Sequence, residues 1–267
     1  MGKNILVLGA SGTAGSAIFW RLSRCTGWTV TGTCCTARPE GRAMVRFSLE
    51  QPASICSLLE TVRPALVVSA LRGDFEKQLA AHALAADYLR EHGGKLIYLS
   101  TANVFDAHME RPHYETDPRA SASTYGEFKI QCEDLLQSRL GSRAVILRLP
   151  FVWGKHSPRM QAVQAGCRAG ELEVYTGLSS NHAADVQIAE WVEWIIREDQ
   201  GGVFHVGTTD VVPYQVFLER LIAAAGMKPP RLVQQESPGI LAVLSSRTDL
   251  PASLSWDSGQ LVRCLCR

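Results

Sequence analysis

Tyr125 and Lys129, four residues apart in Tyr125-Gly-Glu-Phe-Lys129, form the pair of side chains best suited to moving a proton. On a helix, residues at that spacing lie on one face, so the phenol and the ammonium point into the same space. A phenol with an ordinary pKa of about 10 is a poor acid or base near neutrality. A cation beside it stabilises the phenolate and brings the group into the working range. Thr101 follows Leu99-Ser100 at what reads as the end of a strand, where its hydroxyl can hydrogen-bond a carbonyl oxygen while Tyr125 protonates it. A lone YxxxK is common and a lone threonine there is a cap, so the pair carries weight only together with a third signal. That signal is Gly9-Ala-Ser11-Gly12-Thr13-Ala14-Gly15, directly after a short apolar run and at the start of a helix. Small residues permit the tight turn and the close approach of a pyrophosphate, and the helix start supplies free N–H groups and a positive dipole end. The spacing predicts a dinucleotide site.

These residues need a scaffold, and the hydrophobic pattern supplies one. Apolar runs predict strands over 3–8, 28–33, 65–70, 95–100 and 144–149. Helical patterns intervene over 13–24, 52–62, 74–92 and 124–140. Strands apolar throughout, alternating with helices, mean a parallel sheet covered on both faces. The expected fold is therefore α/β, a doubly wound parallel sheet of the Rossmann type over residues 1–150. Residues 151–267 read as a smaller C-terminal substrate lobe. A helix at 186–197 and a strand at 203–206 bring about 183–210 back to the main sheet. A further helix is expected at 213–225. Beyond it Pro229, Pro230, Pro238 and Pro251 make the end of the chain read as loop. Trp191 and Trp194 share a helical face and read as core or dimer surface rather than a stacking platform.

Composition excludes several classes of function. With 267 residues, 46% hydrophobic and 20% charged, the chain can bury an ordinary core. Lys and Arg number 27 against 26 Asp and Glu, a net charge of +1, and the basic residues are scattered. Nucleic-acid binding needs a concentrated basic surface, so it is not expected. No apolar run approaches the roughly 20 residues that span a bilayer, and the expectation is a cytoplasmic chain without membrane attachment. The eight cysteines show neither CxxC pairs nor a disulfide framework, and the histidines do not cluster in sequence, so no metal site is expected.

Several stretches together resemble the extended short-chain dehydrogenase/reductases, and within them the dTDP-4-dehydrorhamnose reductase branch. Ser100-Thr101-Ala-Asn103-Val-Phe105-Asp106 resembles that branch's STDYVFDG, and His113-Tyr114-Glu115-Thr-Asp117-Pro118 its PYxExDxP. Tyr125-Gly-Glu-Phe-Lys129 with Glu133 resembles YGxSKxxxE. Leu147-Arg148-Leu-Pro-Phe151-Val-Trp153-Gly154 resembles LRxSWVYG, and Ala184-Asp185-Val186 the downstream xxDLA. The resemblance implies hydride transfer from a reduced nicotinamide to a nucleotide-linked 4-keto-6-deoxy sugar. It implies Thr101, Tyr125 and Lys129 as catalytic residues, with Lys129 also on the nicotinamide ribose. Gly9, Gly12 and Gly15 then form the cofactor loop with Ser11, Thr13 and Ala14. Ala70 and Leu71 after the strand at 65–70, and Thr36 and Arg38 after the strand at 28–33, complete the expected cofactor contacts. Asn103, Phe105, Phe151, Trp153 and His182 are the expected substrate residues.

Departures from the branch are specific. Ser69-Ala70-Leu71-Arg72 replaces a string of Asn and alanines, Asn103 a tyrosine, and Phe151 a tryptophan; Ser48-Leu49 stands where an acid is usual. The cofactor follows from charge: Cys34-Cys35-Thr36-Ala37-Arg38 offers no acid for a ribose 2′-hydroxyl, while Arg38 and Arg42 suit a 2′-phosphate, so NADP is expected, with NAD the alternative. Two other readings stay open. Around Ala37-Arg38-Pro39 the chain resembles the regulatory β subunit of methionine adenosyltransferase, a binding partner without turnover. A sugar-nucleotide epimerase would use the same residues. A homodimer is a further expectation.

Overall fold

The computed structural model describes residues 2–35 and 43–267. The first half alternates strand and helix as its apolar pattern predicts, with one short strand, Met44–Arg46, that the pattern does not: β1 (Lys3–Leu8), α1 (Thr13–Leu22), β2 (Trp28–Cys34), β3 (Met44–Arg46), α2 (Ser54–Val62), β4 (Leu66–Ser69), α3 (Phe75–His92), β5 (Lys95–Thr101), α4 (Thr124–Leu140) and β6 (Ala144–Leu149). The rest is β7 (Phe151–Trp153), α5 (Pro158–Ala169), β8 (Glu171–Ser180), β9 (His182–Ala184), α6 (Asp185–Arg197), β10 (Gly202–His205), β11 (Val212–Pro213), α7 (Tyr214–Ala224), β12 (Arg231–Leu241) and α8 (Ser258–Cys266). Seven strands form the main sheet in the order β10-β6-β5-β4-β1-β2-β3. Strand β1 lies between β4 and β2 and is parallel to both, with Ile5 opposite Leu66 and Val30. The chain winds outward from β1 to β3, then crosses back to β4. In such sheets ligands bind outside the carboxyl ends of the strands at this reversal. The fold is a doubly wound α/β sheet.

Two compact units interleave along the chain. The first comprises Met1–Ser100, Glu127–Leu147 and Ile188–Phe204; the second comprises Thr101–Gly126, Arg148–Gln187 and His205–Arg267. In the first unit, Leu6, Leu8, Val67 and Leu96 of the sheet pack with Leu59 of α2 and Ala85 and Leu89 of α3. Each large apolar side chain so buried contributes roughly 1.5–3 kcal/mol. Trp191 belongs to this unit, buried edge-on against Trp194 and Phe204 at 6.1 Å from each; it is core.

The second unit has its own core of Trp153, Val174, Leu178, Phe217, Leu221 and Leu261. Its strands form a β11-β8-β12 sheet and a β7-β9 ribbon. The prolines near the end of the chain mislead here, because β12 runs beside β8 over Arg231–Leu241 where a loop is expected. Strand β12 is an edge, and its pairing shifts register between Glu236 and Gly239, around Pro238. At an edge or a bulge a residue without an N–H costs no ladder bond. Helix α8 follows, started by a reciprocal capping pair of Asp257 and Gln260.

Candidate active site

Strand β1 delivers the chain into a turn that requires glycine. Gly9 has φ +75°, and a Cβ on it would lie 2.5 Å from the Ala70 carbonyl oxygen. Its N–H donates to Thr33 Oγ1 at 2.9 Å. A Cβ on Gly15 would lie 2.2 Å from Gly9 O, so α1 can sit on the turn only without a side chain there. Gly12 differs, because a Cβ there meets nothing nearer than Gly9 O at 3.5 Å. Gly12 is the N-cap of α1; no side chain caps this end and no acid stands in the first turn. Ser11 is exposed, and Gly12, Thr13 and Ala14 are half-buried. The first N–H groups of the helix therefore keep their positive end for a ligand, and a phosphate fits this cradle. Ala70 and Leu71 form its opposite wall, where Ala70 N–H donates to Leu8 O at 2.9 Å. Thr36 and Arg38, expected to hold the adenosine end, lie outside the described residues.

Lys129 belongs to the same unit and is buried. Its Nζ donates to Leu99 O at 3.1 Å and lies 4.6 Å from the centre of the Tyr98 ring. Burial, with a smaller push from the Arg72 charge, brings the Lys129 pKa down to about 8 against the opposing effects of Cys132 and Glu133. Glu133 is buried and accepts the Ser100 hydroxyl. His82, also fully buried, sits with Nε2 2.7 Å from Ser69 Oγ and Nδ1 3.8 Å from Cys132 Sγ. Burial, and then the Lys129 charge, push its pKa down to about 3. His82 is neutral. No spacing in the sequence marks His82 or Arg72 as neighbours of Lys129.

The second unit holds Thr101 and Tyr125. The Thr101 hydroxyl donates to Asn103 Oδ1 at 3.0 Å and accepts the Asn103 N–H at 3.3 Å. Asn103 Nδ2 donates in turn to Asp106. The Asp106 carboxylate also accepts the hydroxyls of Ser121 and Ser123 and the N–H of Ala122. Burial acts to raise the Asp106 pKa, but these hydrogen bonds outweigh it and hold the group below its ordinary value. Ser123 accepts the Gly126 N–H at 3.1 Å and so caps α4. A Cβ on Gly126 would lie 2.2 Å from Asn103 O, so only glycine lets this first turn settle against residues 101–106. Tyr125, in that turn, is 42% exposed. Asp106 and Gly126 organise this region; they lie within recognisable motifs, but their contacts span an irregular loop that has no period to read.

The expected substrate residues divide. Asn103 and Phe151 are half-buried. Phe105, Trp153 and His182 are instead core side chains with at most 1% exposure. Phe105 stacks on His113 at 4.4 Å, beneath the Arg148 guanidinium. His182 stacks on Phe217 at 3.6 Å, and its Nδ1 accepts Trp153 Nε1–H at 3.1 Å. Burial, then the Arg159 charge, push the His182 pKa down to about 3. Arg159 lies over Phe151 at 4.7 Å. Register explains the grouping, because β7 pairs with β9 so that Phe151 faces His182 and Trp153 faces Ala184.

Two predictions follow from this geometry. Gly12→Val should melt with the wild type yet lose dinucleotide binding by calorimetry, whereas Gly15→Ala should lower the melting temperature, since overpacking of this kind costs about 1–3 kcal/mol. Lys129 is protonated below its pKa of about 8 and neutral above it. A reaction that needs its charge should therefore decline as pH rises through about 8. A pH–rate profile of kcat/KM flat to pH 10 would show that the reaction needs no charge lost at about 8, and would count against the buried Lys129 ammonium as a requirement.

Comparisons with known proteins agree with the fold. The family model described as "RmlD substrate binding domain" matches residues 3–241. A curated protein of Streptomyces niveus, named dTDP-4-keto-6-deoxy-D-glucose reductase, is 26% identical over 129 residues. That match covers 47% of this chain and 44% of the relative, less than half its length. The solved dTDP-4-dehydrorhamnose reductase of Yersinia enterocolitica has a TM-score of 0.81 at 16% identity, covering 98% of this chain and 97% of that one. The reductase of Bacillus anthracis, solved in complex with NADP, has a TM-score of 0.78 at 16% identity, covering 98% of each chain. With residues 3–241 matched, the chain belongs to the RmlD substrate binding domain family.

Proposed function

We propose that the protein is an NADP(H)-dependent reductase of a nucleotide-linked 4-keto-6-deoxy sugar, with NAD as the alternative cofactor. The observation that carries this reading is the placement of a buried ammonium, Lys129, one helical turn after the exposed phenol Tyr125 on α4. The naming of the Streptomyces niveus relative as a reductase of a dTDP-linked keto sugar, and the NADP complex of the Bacillus anthracis structure, support it. A nicotinamide dinucleotide held by the Gly9–Gly15 loop would supply the hydride for the carbonyl carbon. Tyr125 gives its proton to the carbonyl oxygen as the negative charge develops there. The Lys129 charge stabilises the resulting phenolate, which makes Tyr125 a usable acid near neutrality. Thr101 donates a hydrogen bond to the same oxygen by turning its hydroxyl from Asn103. A binding protein without turnover is the second reading, favoured by that hydroxyl being engaged.

A screen of NADPH oxidation against nucleotide-linked 4-ketohexoses separates the two, since only the reductase turns over. Tyr125→Phe should lose most turnover, by about 10²–10⁴-fold, with cofactor affinity unchanged. Lys129→Met should lose turnover and cofactor affinity together. Thr101→Ala should cost less than either, because one neutral hydrogen bond is removed. Wild-type activity in Tyr125→Phe would end the reductase mechanism. For the cofactor, Arg38→Ala should weaken NADPH more than NADH by titration, because only NADPH carries the 2′-phosphate; equal losses would count against Arg38.

A further inference from the structure

Arg72 stands where the turn after β4 leaves the carboxyl edge of the main sheet. Its side chain is exposed, and among the described residues neither a carboxylate nor a hydrogen bond engages it. Nearby cations are committed: Lys77 pairs with Glu50 at 2.6 Å, and Lys129 Nζ donates to Leu99 O. The backbone on either side of Arg72 is fixed. Ala70 N–H donates to Leu8 O, Gln78 Nε2 donates to Gly73 O at 2.8 Å, and Asp74 caps α3. This turn touches the glycine loop, since the position a Gly9 Cβ would take is 2.5 Å from Ala70 O and 3.2 Å from Leu71 N.

The loop from Gly9 to Gly15 contains no lysine or arginine. Backbone dipoles are all it offers to a doubly charged pyrophosphate. We infer that Arg72 supplies the missing side-chain cation, gripping the pyrophosphate bridge of the dinucleotide from the β4 side. The inference rests on the reading of the glycine loop as a dinucleotide site. Sheet order argues for the bridge over the other anionic group of NADP. Strands β4 and β2 flank β1 on opposite sides, and the ribose 2′-phosphate is read after β2. Arg72 therefore sits across β1 from that phosphate, beside the loop that receives the bridge. A guanidinium suits the task because its planar fork meets two phosphate oxygens at once. Its charge also lies close enough to Lys129 to disfavour the ammonium there, so an anion between the two cations relieves both.

The test measures dissociation constants of NADPH, NADH and ADP-ribose for wild type, Arg72→Gln and Arg72→Lys, together with melting temperatures and steady-state constants. Arg72→Gln should weaken all three ligands alike, by about tenfold, because all three carry the pyrophosphate. Arg72→Lys should recover part of that loss. The cofactor KM should rise while kcat and the sugar KM hold. Loss confined to NADPH would make Arg72 a reader of the 2′-phosphate and overturn the proposal. Unchanged cofactor affinity with a raised sugar KM would overturn it in favour of a substrate contact. No change at all would leave Arg72 a solvated surface residue and overturn it too. Wild-type protein that binds none of the three ligands would overturn the dinucleotide reading itself, and the role of Arg72 with it.

Discussion

Burying the Lys129 ammonium is the constraint around which the site-bearing part of the first unit is arranged. Taking such a charge out of water costs several kcal/mol even after the protein relaxes. Here the offsets are the Leu99 carbonyl, the face of Tyr98 and the buried carboxyl of Glu133. They do not cancel the cost fully, which is why the pKa settles at about 8. The value leaves the group charged at neutral pH yet sensitive to any charge added nearby. His82 shows the other side of the same constraint. Burial disfavours a charged His82 and the Lys129 charge adds to that, so His82 stays neutral and uses its ring nitrogens on Ser69 and Cys132.

The parts of this architecture legible in the sequence are those fixed by short-range rules. The string from Gly9 to Gly15 is readable because left-handed backbone and a bare helix start depend on residue type at close spacing. Strands β1, β4 and β5 are readable because strands buried on both faces are apolar throughout. Helix α4 is harder, since its inward face carries Lys129 and Glu133, charged residues that a periodicity argument assigns to solvent. The partners that admit them, Leu99 and Ser100, come from a distant strand. The surroundings of His182 are hidden for the same reason, because Phe217 and Trp153 enclose it and neither is its neighbour in sequence. Strand β12 hides behind prolines that edge geometry accommodates.

Helix α4 is held at two points along its length by different physical means. Its first turn is set by the Asp106 carboxylate through Ser123, with Gly126 against the Asn103 carbonyl. One turn later, Lys129 anchors to Leu99. Tyr125 therefore starts from a fixed backbone while its ring remains 42% exposed. The hydrogen bonds of Ser123 and Lys129 fix the backbone from which the Tyr125 side chain projects. Such support by neighbouring groups is what lets a site keep its geometry without ligand.

The same network decides how much weight the engaged hydroxyl of Thr101 carries against turnover. Because Asn103 Nδ2 donates to Asp106, the orientation of the Asn103 amide is set, and its oxygen faces Thr101. The Thr101 hydroxyl donates there because Asp106 arranges it so. Rotating it toward a substrate carbonyl gives up one neutral hydrogen bond, worth about 0.5–1.5 kcal/mol, and forms another of the same kind. The Asn103 N–H still has the oxygen of the same hydroxyl to donate to. The net cost of rotation is thus small beside the contribution of a positioned proton donor, about 10²–10⁴-fold in rate. An engaged threonine is therefore compatible with catalysis, and the choice between reductase and binding protein falls to the phenol of Tyr125.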